Sequence, residues 1–150
     1  MTCYACDHNA AVDLPPREAV VRTSHWRVAH SFNSSLPGWL VLVPRRHVTA
    51  LHELTDDELV ELGLLQGRLS TALRDVVGCS KTYSMLYAEA EGFSHLHVHL
   101  VPRMPDQPED RRGPAVFGYL GPQESEWVPS EEMDRIAREV GARVSSSASR

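Results

Sequence analysis

The stretch richest in chemistry is Ser94-His95-Leu96-His97-Val98-His99-Leu100-Val101, where three of the chain's eight histidines stand at every second position. In an extended strand alternate side chains share a face. His95, His97 and His99 would then form one imidazole column while Leu96, Val98 and Leu100 turn toward a core. Three chemistries suit such a column. It can be a half-exposed strand that merely uses histidine, or a zinc site on which three imidazoles converge. It can also present one neutral imidazole as a nucleophile toward phosphorus, with its neighbours setting its tautomer and holding phosphate oxygens. A second candidate is Cys3-x-x-Cys6 near the N-terminus. That spacing suits two thiolates on one metal, a redox dithiol, or coincidence.

His95-Leu96-His97-Val98-His99-Leu100-Val101 matches the histidine-triad (HIT) signature, His-φ-His-φ-His-φ-φ with φ hydrophobic, at every position, and Pro102-Arg103 resembles the continuation many members carry. Upstream, Leu40-Val41-Leu42-Val43-Pro44-Arg45-Arg46-His47-Val48 resembles the family's strand ending in Val-Pro-basic-x-His. The two motifs stand in the family's order, and the resemblance spans roughly residues 3 to 103.

The resemblance implies a nucleotide phosphoramidase or dinucleoside polyphosphate hydrolase. His97 would attack an α-phosphorus to form a nucleotidyl-histidine, His99 would donate to the developing charge, and His95 would orient the nucleophile or bind metal. His97 needs an unprotonated nitrogen, which a backbone carbonyl near His95 would secure by accepting from the other one. The resemblance also implies a structural zinc on Cys3, Cys6, His47 and His95, with His8 a weaker rival ligand. Such a closed site would staple the N-terminus to the sheet rather than activate water. A purine nucleotide would lie against Phe32, Asn33, Ser94 and His99. The loop Phe32 to Gly38 lacks the family's ribose-facing aspartate, so Ser31 or Asn33 would have to substitute for it, and Trp39 occupies a position where the family often has histidine. The turn at 90–94 lacks the family's phosphate-contacting glutamine. Arg45, Arg46 and Arg103 are candidates to attract the anion. Two alternatives remain open: a metal-dependent hydrolase using all three histidines as ligands, and a nucleotide-binding regulatory module with little turnover.

The elements that must position these residues read as α+β. Residues 19–23 and 26–30 predict a hairpin, with His25 and His30 on the surface, and residues 39–43 and 82–89 predict two further strands. With the histidine strand these make an antiparallel sheet of about five strands. Thr55 and Glu58 have capping-box spacing before a long helix whose apolar stripe, Leu59, Leu62, Leu65, Leu69, Leu73 and Val76, runs to a stop at Gly78; its acidic residues form a solvated face. Trp39 is expected in the core, and Glu89 and Glu91 as solvated carboxylates near a turn. The proline-rich stretch 104–114 reads as a loop, and residues 116–120 as an apolar island that packs on the domain, on a second subunit or over the site. A short helix, 131–140, is capped by Ser130 and stopped by Gly141. Residues 1–143 form one domain, and the serine-rich 144–150 a disordered tail.

At 150 residues, 42% hydrophobic and 23% charged, the chain suits a single globular core. A formal charge of −5 argues against a broad nucleic-acid-binding surface, though not against one nucleotide. The sequence shows no secretory-type start and no run of about eighteen apolar residues. Its three cysteines do not form a secreted disulfide framework, which predicts a cytoplasmic protein. A homodimer with a sheet continued across subunits is what the resemblance implies.

Overall fold

The computed structural model describes residues 2–148. The elements run α1 (Tyr4–Ala10), β1 (Val21–Arg22), β2 (Trp26–His30), β3 (Leu40–Pro44), α2 (Asp56–Val77), β4 (Lys81–Leu86), β5 (Val98–Arg103) and α3 (Ser130–Ala148), with short 3-10 turns between them. The five strands form one antiparallel sheet in the order β1-β2-β3-β5-β4, and with the helices they make an α+β fold.

Register divides the sheet into two faces. Val28 pairs with Leu42 and Leu42 with Val98. These residues, with Trp26, Leu40, Leu96 and Leu100, form the main core against Leu62, Leu65, Leu69 and Leu73 of α2 and Ile136 and Val140 of α3. One residue out of phase, Ala29 pairs with Val41 and Val41 with His99, and this opposite face floors a cavity. Helices α2 and α3 cover one face, and the cavity opens on the other.

The long helix starts and stops where its sequence requires. Thr55 accepts from the Glu58 N–H while the Glu58 carboxylate accepts from the Thr55 N–H, and Gly78 ends it in the left-handed region at φ 75°. Glu58 departs from the expected solvated acidic face. Its side chain is 2% exposed and holds the Arg46 guanidinium through both oxygens, at 2.7 and 3.0 Å.

Two expectations fail at the C-terminus. Helix α3 does not stop at Gly141, nor does the chain lose structure at 144: it runs to Ala148, with Val144 buried. Met133, Ile136, Ala137, Val140 and Val144 recur at helical spacing and are all buried, so packing carries the helix past the glycine. A Cβ at Gly141 would lie 2.5 Å from the Val20 carbonyl oxygen. That glycine allows close approach to the backbone before β1 and does not terminate anything. Residues 149–150 lie outside the described residues.

The stretch after β5 is less loose than its prolines suggest. Residues Gly113–Tyr119 make a 3-10 segment whose Val116 packs on Leu36, Trp39 and Val101 in a second core on the cavity side of the sheet. The apolar island therefore packs on its own domain and over the site.

Candidate active site and metal centre

Strand β5 begins only at Val98. His95 and His97 enter it in an extended approach anchored by the Leu96 N–H donating to the Val48 carbonyl at 2.8 Å. The alternation holds through this approach: His95, His97 and His99 all line one cavity of about 460 Å³, while Leu96, Val98 and Leu100 are buried in the core.

His97 Nδ1–H donates to the His95 carbonyl at 2.9 Å, which leaves Nε2 with its lone pair free. The rings of His97 and His99 meet edge to face, 4.9 Å between centroids. His99 Nδ1 accepts the indole N–H of Trp39 at 3.0 Å, and burial pushes the His99 pKa down to about 4. His99 is thus a neutral imidazole with its proton on Nε2. Trp39 is wholly buried, as expected of a core residue, but it also touches the histidine column.

His95 belongs to a second constellation. Cys3 Sγ lies 3.6 Å from His47 Nδ1 and 3.5 Å from His95 Nδ1; Cys6 Sγ lies 3.3 and 3.5 Å from the same atoms; the two Nδ1 atoms are 3.1 Å apart. A tetrahedral zinc with Zn–S about 2.3 Å and Zn–N about 2.0–2.1 Å requires ligand–ligand edges of roughly 3.3–3.8 Å. The four sulfur–nitrogen distances fall in that range and the nitrogen–nitrogen distance lies just below it, so the donor set suits such an ion. His95 Nε2–H donates to the Pro44 carbonyl at 2.9 Å, turning the Nδ1 lone pair toward the thiols, the kind of outer contact that orients a metal-bound histidine. A zinc held by these four residues would have no position left for water. His8 stands apart: its Nδ1–H donates to the Tyr4 carbonyl and its Nε2 lies 3.4 Å from Glu18.

Helix α1 carries the two cysteines and was not foreseen. Cys3 caps it, its Sγ accepting from the Cys6 N–H. Asn9 then docks it on the sheet, donating to the Pro44 carbonyl at 3.0 Å and accepting from Arg27 Nε at 2.8 Å. Arg27, 1% exposed, also donates to the Glu18 carbonyl, while Glu18 accepts the Tyr4 hydroxyl at 3.0 Å. A buried arginine inside a run of β-formers was the missed signal: such a group survives burial only with partners.

Three aromatic rings from separate segments line one side of the cavity. Tyr4 of α1 lies 5.4 Å from Phe32 and 5.8 Å from Phe93, each partly exposed. Phe32 sits on a loop tied down at both ends. The Ser35 N–H donates to Tyr119 and the Gly121 N–H to Asn33. His30, expected on the surface, is 3% exposed, donating to the Ser31 carbonyl and accepting the Gly38 N–H, both at 2.9 Å. Both faces of β2 are covered, which alternation within one strand cannot reveal, and burial pushes the His30 pKa down to about 4.

A profile of the HIT domain matches residues 15–106, more than half of the chain. The chain belongs to the HIT family. Among curated relatives of this HIT protein, galactose-1-phosphate uridylyltransferase of Haemophilus influenzae is 26% identical over 123 residues, 78% of this chain and 35% of that protein, so the chain spans about a third of that relative's length. The HIT fold is shared with a zinc-bound histidine triad family protein of Mycobacterium smegmatis (TM-score 0.69, 17% identity, 98% of both chains). It is shared with a hypothetical histidine triad nucleotide-binding protein of Sulfolobus tokodaii (TM-score 0.72, 15% identity, 96% and 93%). Diadenosine triphosphate hydrolase of Plasmodium falciparum aligns at TM-score 0.66 with 15% identity over 89% and 80%.

Of the residues expected at a substrate, Phe32, Asn33 and His99 line the cavity together with Ser31. Ser94 is exposed and does not line it; Gly92 and Phe93 do. Glu89 lies at the rim. The candidate anion attractors are engaged elsewhere: Arg45 with the Thr23 carbonyl, Arg46 with Glu58, Arg103 with the Met104 carbonyl. Among the described residues no helix is long and apolar enough to cross a membrane.

Proposed function

We propose that this HIT protein is a nucleotidyl hydrolase or transferase acting at the α-phosphate of a purine nucleotide through a covalent nucleotidyl-histidine, with His97 as nucleophile. The observation that carries the reading is the His97 Nδ1–H bond to the His95 carbonyl at 2.9 Å, because in the neutral ring it keeps the proton on Nδ1 and makes Nε2 the nitrogen that carries the attacking lone pair. Attack forms a P–N bond from the Nε2 lone pair and breaks the bond to the leaving group, which takes the electron pair. Water or another acceptor then attacks the same phosphorus and restores His97. His99 offers its Nε2–H to the charge that develops on oxygen.

The name of the diadenosine triphosphate hydrolase that shares the fold agrees with this substrate class. The half-exposed rings of Tyr4, Phe32 and Phe93 suit the face of a base, with Ser31 and Asn33 beside them for the ribose. Cys3, Cys6, His47 and His95 would hold a structural zinc, and the zinc-bound relative is consistent with that. A zinc there supplies a cross-link between α1 and the sheet. A metal hydrolase using all three histidines is disfavoured because both nitrogens of His95 are already engaged, one by Pro44 and one within the cysteine cluster. Pairing of two copies through the free edge of β4 would give a homodimer, and a cytoplasmic location suits free thiols.

The test is intact-protein mass spectrometry after rapid quenching with an adenosine phosphoramidate or a dinucleoside polyphosphate, comparing the native chain with His97→Ala. An acid-labile nucleotidyl adduct on the native chain alone is expected. Turnover without an adduct would overturn the covalent mechanism, and saturable binding with neither would make the protein a binding module.

A further inference from the structure

Trp39 is wholly buried, yet its one polar atom faces the site, Nε1–H donating to His99 Nδ1 at 3.0 Å. An indole N–H can only donate. His99 Nδ1 is therefore held as an acceptor, and the ring's proton sits on Nε2. We propose that Trp39 is a positioning residue that fixes His99 as a hydrogen-bond donor unable to act as a proton donor, so that the site favours phosphoanhydride over phosphoramidate substrates. This rests on the reading of His97 as nucleophile and names the leaving group that reading left open.

The argument is steric and electrostatic. To pass on its Nε2 proton, His99 must first be an imidazolium with a second proton on Nδ1, where it would meet the Trp39 N–H head-on. The ring is also walled by Trp39 at 5.6 Å and Phe117 at 5.4 Å, and the ring beside it is His97, which turns cationic as its Nε2 bonds phosphorus and so opposes a second charge on His99. Of the other acid–base groups on the cavity wall, the Tyr4 hydroxyl donates to Glu18, Glu18 sits between Tyr4 and Arg27, His30 is held by Ser31 and Gly38, Cys3 and His95 belong to the cysteine cluster, and Tyr87 and Glu89 are exposed to solvent. When His97 attacks a phosphoanhydride, a P–O bond breaks and the departing phosphate keeps the electron pair as a stable anion, for which one N–H is enough. In a phosphoramidate the breaking bond is P–N, and the amine must gain a proton to leave.

Two measurements on the full chain test this. With 15N-labelled histidine, NMR near neutral pH is expected to show His99 protonated on Nε2 and bare on Nδ1; a proton on Nδ1 overturns the proposal. Then kcat/KM for an adenosine phosphoramidate and for a dinucleoside polyphosphate is compared in the native chain, Trp39→Phe and Trp39→His. Phenylalanine removes the donor, and histidine can accept as well as donate. Both variants are expected to raise the phosphoramidate-to-anhydride ratio at least about tenfold. Being a ratio within one protein, it is insensitive to a lower folded fraction, and an unchanged ratio overturns the proposal. An absent His97 adduct beside the expected His99 tautomer would overturn the nucleotidyl-histidine reading and the substrate preference with it, while the placement of the proton by Trp39 would stand.

Discussion

At the scale of single residues, the three histidines of one motif do three different things because each has a different partner at its second nitrogen. His95 gives Nε2–H to Pro44 and turns Nδ1 to two thiols; His97 gives Nδ1–H to a carbonyl and keeps Nε2 bare; His99 receives Trp39 and keeps Nε2–H. His97→Ala should lower kcat/KM by about a thousandfold or more, roughly 4 kcal/mol of barrier. Because His97 is only partly buried, the variant should melt close to the native chain. A steady-state assay beside a thermal melt checks both halves. Glu58 behaves oppositely, as a structural carboxylate. The bidentate hydrogen bond from Arg46 holds its pKa down at about 2. A depressed carboxylate stabilises the fold above its unfolded pKa of about 4.3 and loses that contribution as pH falls toward 2. Arg46 is half exposed, so solvent screening leaves a modest contribution. Glu58→Gln should cost on the order of 1–2 kcal/mol in urea unfolding near neutral pH, partly through the lost cap.

At the scale of elements, α1 is seven residues long, too short to hold itself in water, and is fastened by Asn9 at one end and the cysteine cluster at the other. Cys6→Ser should abolish zinc binding and lower the melting temperature more than it lowers turnover, read by metal analysis, a melt and an assay on one preparation. Purified protein that carries no zinc and takes none up would remove that cross-link altogether. Helix α3 offers a sharper case. By propensity alone Gly141→Ala gains up to about 1 kcal/mol in a helix interior. Here the added Cβ would fall 2.5 Å from the Val20 carbonyl oxygen, and forcing the helix off the sheet costs about 1–3 kcal/mol. The variant should unfold at lower urea concentration than the native chain.

For the whole molecule, acid is the expected weakness. His30 and His99 are each pushed down to about 4 by burial, against an ordinary value near 6.5. Between those values the unfolded chain binds more protons than the folded one, so stability is fully present above about pH 6.5 and falls as pH drops toward 4. Each group contributes up to about 3 kcal/mol by this linkage. The urea midpoint should drop steeply between about pH 6.5 and about pH 4.5, and a flat profile there would show that neither ring is held neutral. The sheet ends in β4, whose outer edge is unpaired among the described residues. If two copies join through it, light scattering will give twice the chain mass, and a proline at a β4 position that donates across the edge will return the protein to a monomer.

Local pattern was enough for much of this protein. Alternating histidines and aliphatics placed three imidazoles on one face, because strand geometry has period two whatever surrounds it. Thr55, Glu58 and Gly78 bounded the long helix, because caps act within a few residues. The Cys3-x-x-Cys6 pair and the two separated motifs brought Cys3, Cys6, His47 and His95 into view through a resemblance, and the fold gathers their ligand atoms within 4.8 Å of one another. What only the tertiary structure decided depends on what covers each residue. His30 became a buried loop anchor, Arg27 a partnered cation under the cavity, Gly141 a point of close contact rather than a stop, and Ser94 an exposed neighbour of the site. Trp39 looked like core and is core, but its indole N–H meets His99 across the strand pairing of β3 with β5. A partner sixty residues away in the chain leaves no trace in local periodicity, since the hydrogen bond that sets a histidine's tautomer depends on register between strands and not on neighbours in sequence.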